Sequence, residues 1–309
     1  MAVINTNVSA IKAANASNSA GKLASTAMER LSTGKRINSA KDDAAGLAIA
    51  TTMTAQITGM SQAVRNSNDG ISLAQTAEGA LSEVTNMLQR VRELAVQSKS
   101  DTYQTSDREA MQSEVSNLTN QISDVLNNTK FNGNAVFKVD ATATDSTTDT
   151  DGDGVTDLVQ NANTVKIQTG ANTSDTVDLV VKAFAGKTFF GDDGGTNNTA
   201  YSTTTTTTQA FDVSDTAKAS TTITNVDDAI KQVNATRATL GAGQNRLESV
   251  VNNLNDNITN LSDARSRIQD TDYSAETTQM AKAQILAQAS TAMISQANQN
   301  QQNVLTLLR

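Results

Sequence analysis

Four aspartates in DTDGDGVTD, Asp149, Asp151, Asp153 and Asp157, form the chain's densest set of hard-cation ligands. Alternate carboxylates around a turn glycine, here Gly154, are the pattern by which calcium loops converge on an ion. The twelfth position is Gln160 where such loops place a bidentate Glu, and no helix pair flanks the segment. A solvated acidic turn is the reading this composition favours, with Ca2+ as the alternative and no other cofactor indicated.

Beyond that cluster the sequence has little with which to do chemistry. It contains no His, Cys, Pro or Trp. An imidazole base, a Ser-His or Cys-His nucleophile, a thiolate-imidazole zinc site and a disulfide framework are all excluded. H-E-x-x-H is impossible, G-x-x-x-x-G-K-[ST] is absent, and no carboxylate pair falls in an apolar context, so the chain is not expected to be an enzyme. The net charge of −8 argues against a nucleic-acid partner. Between Lys138 and Ser220 stand 12 Asp and 5 Lys, so most of that charge lies in the middle. No run is long and apolar enough to span a membrane, and residues 1–30 lack the pattern of a cleavable export signal. Absence of Cys fits any redox compartment.

The elements available are long helices. Ala50, Met53, Ile57, Met60, Val64, Ser67, Ile71 and Ala74 step by three and four, a heptad seam that continues through Leu81, Val84, Leu88, Val91 and Ala95. Met111, Val115, Leu118, Ile122 and Val125 repeat the pattern on a helix over 107–127, for which Ser106 or Asp107 would be the cap. A third seam runs from Ile223 and Val226 through Leu247, Val251, Leu254, Ile258 and Leu261 to Ile268. If continuous it is about 69 Å long at 1.5 Å per residue. These seams can partner one another as an antiparallel bundle. The ends are of another kind. Ile4, Val8, Ile11, Ala20, Leu23, Ala27 and Leu31 mark one amphipathic helix, and Met280, Ala283, Leu286, Met293, Ile294, Ala297, Val304 and Leu305 mark another. Their narrow apolar faces make weak helices alone, expected to order on association. Val165 and Ile167 alternate with polar residues, as do Val177, Leu179 and Val181, predicting a β-hairpin. From Ala183 to Thr222, with six consecutive Thr at 203–208, a small exposed excursion is expected.

The motif RINSAKDDAAGLAI at 36–49 resembles the N-terminal signature of bacterial flagellins, the flagellar filament subunits. The similarity extends through NLTNQISDVLNNTKFNG (117–133) and LGAGQNRLESVVNNL (240–254), and through SRIQDTDYSAETTQMAKAQILAQASTAMISQANQNQQNVLTLLR (266–309). A Pro usual in the family is replaced by Gln301, so the last helix is expected to run on. The resemblance implies a mainly α fold, a long antiparallel helical hairpin or coiled-coil rod with a small β-hairpin region and paired termini. Residues 1–44 and 267–309 would line the filament channel, 45–182 and 222–266 would form the helical rod with its hairpin, and 183–221 a short variable surface insert. On this reading the rod seam is carried by Met53, Ile57, Val64, Ile71, Leu254, Ile258 and Leu261. Polymerisation is carried by Ile4, Val8, Ile11, Leu23, Leu286, Met293, Ile294, Val304 and Leu305.

The same resemblance implies an extracellular homopolymer in the flagellum, exported by the flagellar type III apparatus, with an export chaperone, cap and junction proteins as partners and no membrane partner. In many flagellins QRVRELAVQ (89–97), with a Glu on the facing helix, contacts a host Toll-like receptor. The matching positions are Gln89, Arg90, Leu94 and Glu114. Arg90 and Leu94, four apart, share a helix face, and an Arg beside an exposed apolar residue suits an interface anchor. Subunit contact is the native role expected for that face, with receptor recognition an added property of the free monomer. A flagellin-like junction protein or surface adhesin with a ligand-binding middle is the alternative.

Overall fold

The computed structural model describes residues 6–140, 162–191 and 209–306. Two compact units result, one of Met1–Thr58 with Asn257–Arg309, the other Gly59–Asp256. The helices are α1 (Val8–Thr33), α2 (Ala44–Ser98), α3 (Thr105–Asn128), α4 (Gly186–Phe190), α5 (Thr216–Gln269) and α6 (Tyr273–Thr306). The short strands are β1 (Lys130–Phe131), β2 (Asn134–Ala135), β3 (Val139–Asp140), β4 (Asn163–Gln168), β5 (Thr176–Val181) and β6 (Phe184–Ala185). Among the described residues no helix is long and apolar enough to cross a membrane.

In the first unit the caps are supplied locally. The Asn7 side chain accepts the Ala10 N–H at 3.0 Å and opens α1. Gly34, at φ 71°, returns its N–H to Arg30 O at 2.9 Å and ends it. Asp272 caps α6 by accepting from Ser274 and Ala275, and α6 runs through Gln301 unbroken, as expected without the proline. The two helices pair antiparallel. Asn7 Nδ2 donates to Ala297 O, Arg30 faces Glu276, and Thr271 N donates to Gly34 O, so partner numbers fall along α1 as its own rise. Asp43 opens α2 by accepting the Gly46 N–H at 2.9 Å.

The second unit holds the large core. On α2 the buried row is Met60, Ala63, Ser67, Gly70, Ala74, Ala77, Leu81, Val84, Leu88, Val91, Ala95 and Ser98, an unbroken alternation of three and four. On α5 it includes Ala219, Thr222, Val226, Ala229, Val233, Thr236, Leu240, Leu247 and Leu254. The helices are antiparallel: Arg92 Nε meets Asp227 Oδ1 at 2.7 Å and Arg237 Nη2 meets Glu78 Oε1 at 3.5 Å. Every second seam position differs from the apolar spacing. Ala63 and Gly70 occupy places expected for Val64 and Ile71, which flank the row half-buried. The reason is room, because a Cβ on Gly70 would collide with Ile167 and come within 3.2 Å of Leu247 Cδ1, and one on Gly243 would come within 2.5 Å of Leu179 Cδ1.

Helix α3 starts at Thr105, not 107. Asp107 acts from inside its first turn, accepting the Gln104 N–H at 3.1 Å. The predicted hairpin forms as β4 and β5, antiparallel, with Asn163 opposite Val181 and Gln168 opposite Thr176. Strands β1 and β2 join through Asn132 (φ 49°) and Gly133 (φ 82°), the two positive angles that a tight two-residue hairpin loop requires. Strands β3 and β6 pair in parallel.

The expected excursion at 183–221 is only partly outside the core. Phe184, Phe189, Phe190, Phe211 and Val213 are at most 1% exposed. Phe184 packs edge-on to Phe137 and Phe189 with ring centroids 5.7 and 5.4 Å apart. Apolar residues are sparse there, yet they are concentrated in large rings on both sides of the polar stretch, so the chain is anchored at each end. The Thr run at 203–208 lies outside the described residues.

Candidate functional site

The α1–α6 pair is built from side chains too small to make a strong seam. Ala13, Ala20 and Ala27 recur every seven residues on α1, and Glu276, Ala283 and Ser290 do so on α6; all six are buried. Such contacts let helices lie close but remove about 0.8 kcal/mol worth of apolar surface per carbon, against roughly 1.5–3 kcal/mol for a buried Leu or Val. The large apolar side chains of these helices point elsewhere. Among the described residues Val8, Ile11, Leu23 and Met28 on α1, and Tyr273, Ile285, Leu286 and Met293 on α6, are exposed, leaving only Ile49 and Val96 as exposed large apolar residues on other elements. Val8 and Ile11 are three apart on one face, and Leu286 and Met293 are two turns apart on another. Leu23 is 57% and Met293 66% exposed.

The stripe expected on each terminal helix therefore splits. Ala20, Ala27 and Leu31 turn toward α6, while Val8, Ile11 and Leu23 face out. Ile294 is half-buried. Ile4 and the side chains of Val304 and Leu305 lie outside the described residues. Of the expected rod positions, Leu254 is buried, whereas Met53, Ile57, Val64, Ile71, Ile258 and Leu261 are half-buried.

On α2 and α3, Arg90 Nε donates to Glu114 Oε1 at 2.8 Å, and Arg90 Nη1 to Glu93 Oε2 at 3.0 Å. Hydrogen bonding to Glu114, then to Glu93, holds the guanidinium above its usual pKa. Gln89 is exposed beside them. Leu94 is not the exposed neighbour that spacing alone suggested: it is 2% exposed and belongs to the core with Met111 and Val115. Packing of both α3 and α5 against α2 widens its buried stripe beyond the heptad row, and Val96, 51% exposed, is the apolar side chain the motif presents.

Two clasps escaped the sequence reading. Gln112 accepts the Val213 N–H at 2.6 Å and donates to Phe211 O at 3.3 Å, while Ser98 Oγ donates to Val213 O at 2.6 Å. Arg108 donates to Ser98 O and Ser100 O at 2.9 and 3.0 Å, closing the α2–α3 turn. Lone Gln and Arg residues on exposed helix faces give no periodic signal. Asp149, Asp151, Asp153 and Asp157 lie outside the described residues. Among the described residues no group of three or more His, Cys, Asp or Glu is arranged to hold a metal.

Residues 4–142 match the model of the bacterial flagellin N-terminal helical region, and residues 223–308 that of the bacterial flagellin C-terminal helical region. The chain belongs to the bacterial flagellin family. It is 42% identical to a flagellin of Bacillus subtilis over 99% of both chains, and 36% identical to polar flagellin F of Vibrio parahaemolyticus, again over 99% of both. The solved structure of a putative flagellar hook-associated protein from Vibrio parahaemolyticus shares the fold at TM-score 0.54 and 16% identity, over 74% of this chain and 100% of that one. As a flagellin the chain is a structural, non-catalytic subunit of a homopolymeric motility filament.

Proposed function

We propose that the outward apolar faces of α1 and α6 are the surfaces through which copies of this flagellin join end to end and side by side. The observation that carries this reading is the inversion within the terminal pair: small residues meet inside one chain, and the large apolar ones are left for other chains. Apolar surface grouped on two paired helices is the mark of an interaction site. A weak internal seam also keeps the free termini easy to unfold, which suits passage through a narrow export channel followed by ordering at the growing tip. Export through the flagellar type III apparatus, with a chaperone, and assembly beneath a cap and beyond junction proteins belong to this reading. Removing residues 287–309 tests it. The truncated chain should keep the melting transition of its Gly59–Asp256 unit and fail to extend sheared filament seeds.

The α2–α3 face supports a second role for the free monomer. Arg90 and Glu114 form an exposed, hydrogen-bonded pair beside exposed Gln89 and Val96, a polar and apolar mixture fit for a host Toll-like receptor. A receptor reporter assay with Arg90→Ala and Glu114→Ala should lose most of its signal; full signalling by both would remove this face from the account.

A further inference from the structure

Arg30 and Glu276 interrupt the small-residue seam of α1 and α6, and inside one chain they satisfy each other poorly. Glu276 is 9% exposed, one heptad before Ala283. Arg30 Nη1 stands 3.7 Å from its Oε2, beyond hydrogen-bond reach. Arg30 Nε is buried and has no acceptor. Asp42 also acts on Arg30 electrostatically. Its Oδ2 already accepts from the Asn38 and Ser39 N–H groups and the Ser39 hydroxyl. A guanidinium offers five donors in a fixed fork, and a buried donor left unmade is a net cost to the isolated chain. Arg30 is also seven residues from Leu23, on the same line of α1, so it borders the exposed apolar face.

We infer that Arg30 is a docking point for a second copy of this chain, whose oxygen acceptor closes the open Nε–H. The inference rests on the reading that the α1–α6 faces join copies, and adds what apolar contact alone lacks. Apolar burial is non-directional, whereas one charged hydrogen bond is made only by a neighbour in the right alignment. Arg30 thereby selects register as well as strength.

Arg30→Lys keeps the charge and removes the Nε donor. In seeded elongation of the full chain, the critical concentration should rise about tenfold, the loss of one charged hydrogen bond, with the monomer's melting midpoint unchanged. An electron-microscopy reconstruction of the wild-type filament should place a neighbour's oxygen within about 3.2 Å of Nε. A critical concentration within about twofold of wild type, or a rise matched by a lower monomer melting midpoint, would overturn the inference. If the wild-type chain itself failed to extend seeds, the reading beneath it would fall as well.

Discussion

Gly70 of α2 lies directly against Ile167 of β4, with Leu247 of α5 closing the other side. A helix interior normally disfavours Gly by about 1 kcal/mol relative to Ala, so this glycine is retained for the space it leaves. Gly70→Ala should destabilise the chain by roughly 1 kcal/mol in chemical denaturation, an overpacking cost of about 1–3 kcal/mol less the gain in helix propensity. Ile167→Val in the same chain removes the colliding methyl and should restore most of the loss. Gly79→Ala, where a Cβ meets nothing within 4 Å, should instead stabilise by roughly 0.5–1 kcal/mol.

Leu94 and Arg90 share a motif but will respond to different measurements. Leu94→Ala should cost about 2–5 kcal/mol of stability, because it opens a cavity in the core. Arg90→Ala should change stability by less than about 1 kcal/mol, since its ion pairs are near half exposed. Thermal melts run beside any receptor assay will separate lost fold from lost contact.

Acid should weaken the join where the chain enters α5. Partial burial pushes the Asp212 carboxyl up, but hydrogen bonds from Lys218 and Ser214 outweigh it and leave the group below its usual value of 3.8. A carboxyl lowered on folding adds stability above pH 3.8, and that contribution is lost as pH falls through the folded value. Lys218 is raised above 10.5, chiefly by its hydrogen bond to Asp212, so its share is lost only as pH climbs past that range. The denaturation midpoint of Asp212→Asn should fall below wild type at pH 6 and coincide with it by pH 2.

The sequence announced the helices, the β4–β5 hairpin and half of each seam. Met60, Ser67, Ala74, Val226, Val233 and Leu240 are core positions on either count, because they obey both period and burial. The other half was misread by ranking positions on size. Ala63, Gly70, Ala229 and Thr236 are buried because helices and hairpin approach closely there, and closeness is a property of the partner surface that one helix cannot reveal. At the termini, Ala13, Ala20 and Ala27 carry a perfect seven-residue period that large neighbours such as Ile11 and Leu23 obscure. The same blindness hid the role of Phe189, Phe190 and Phe211, read as part of a polar stretch.

The account turns on the outward faces of α1 and α6, and replacing both Leu286 and Met293 by Gln tests it most directly. Both side chains are exposed in the single chain, 43% and 66%, so the monomer's circular dichroism and melting midpoint should not change. Burying each between copies is worth about 1.5–3 kcal/mol, so the critical concentration for extending sheared seeds should rise at least tenfold. Elongation at the wild-type critical concentration by this double variant would contradict the assignment of these faces to assembly.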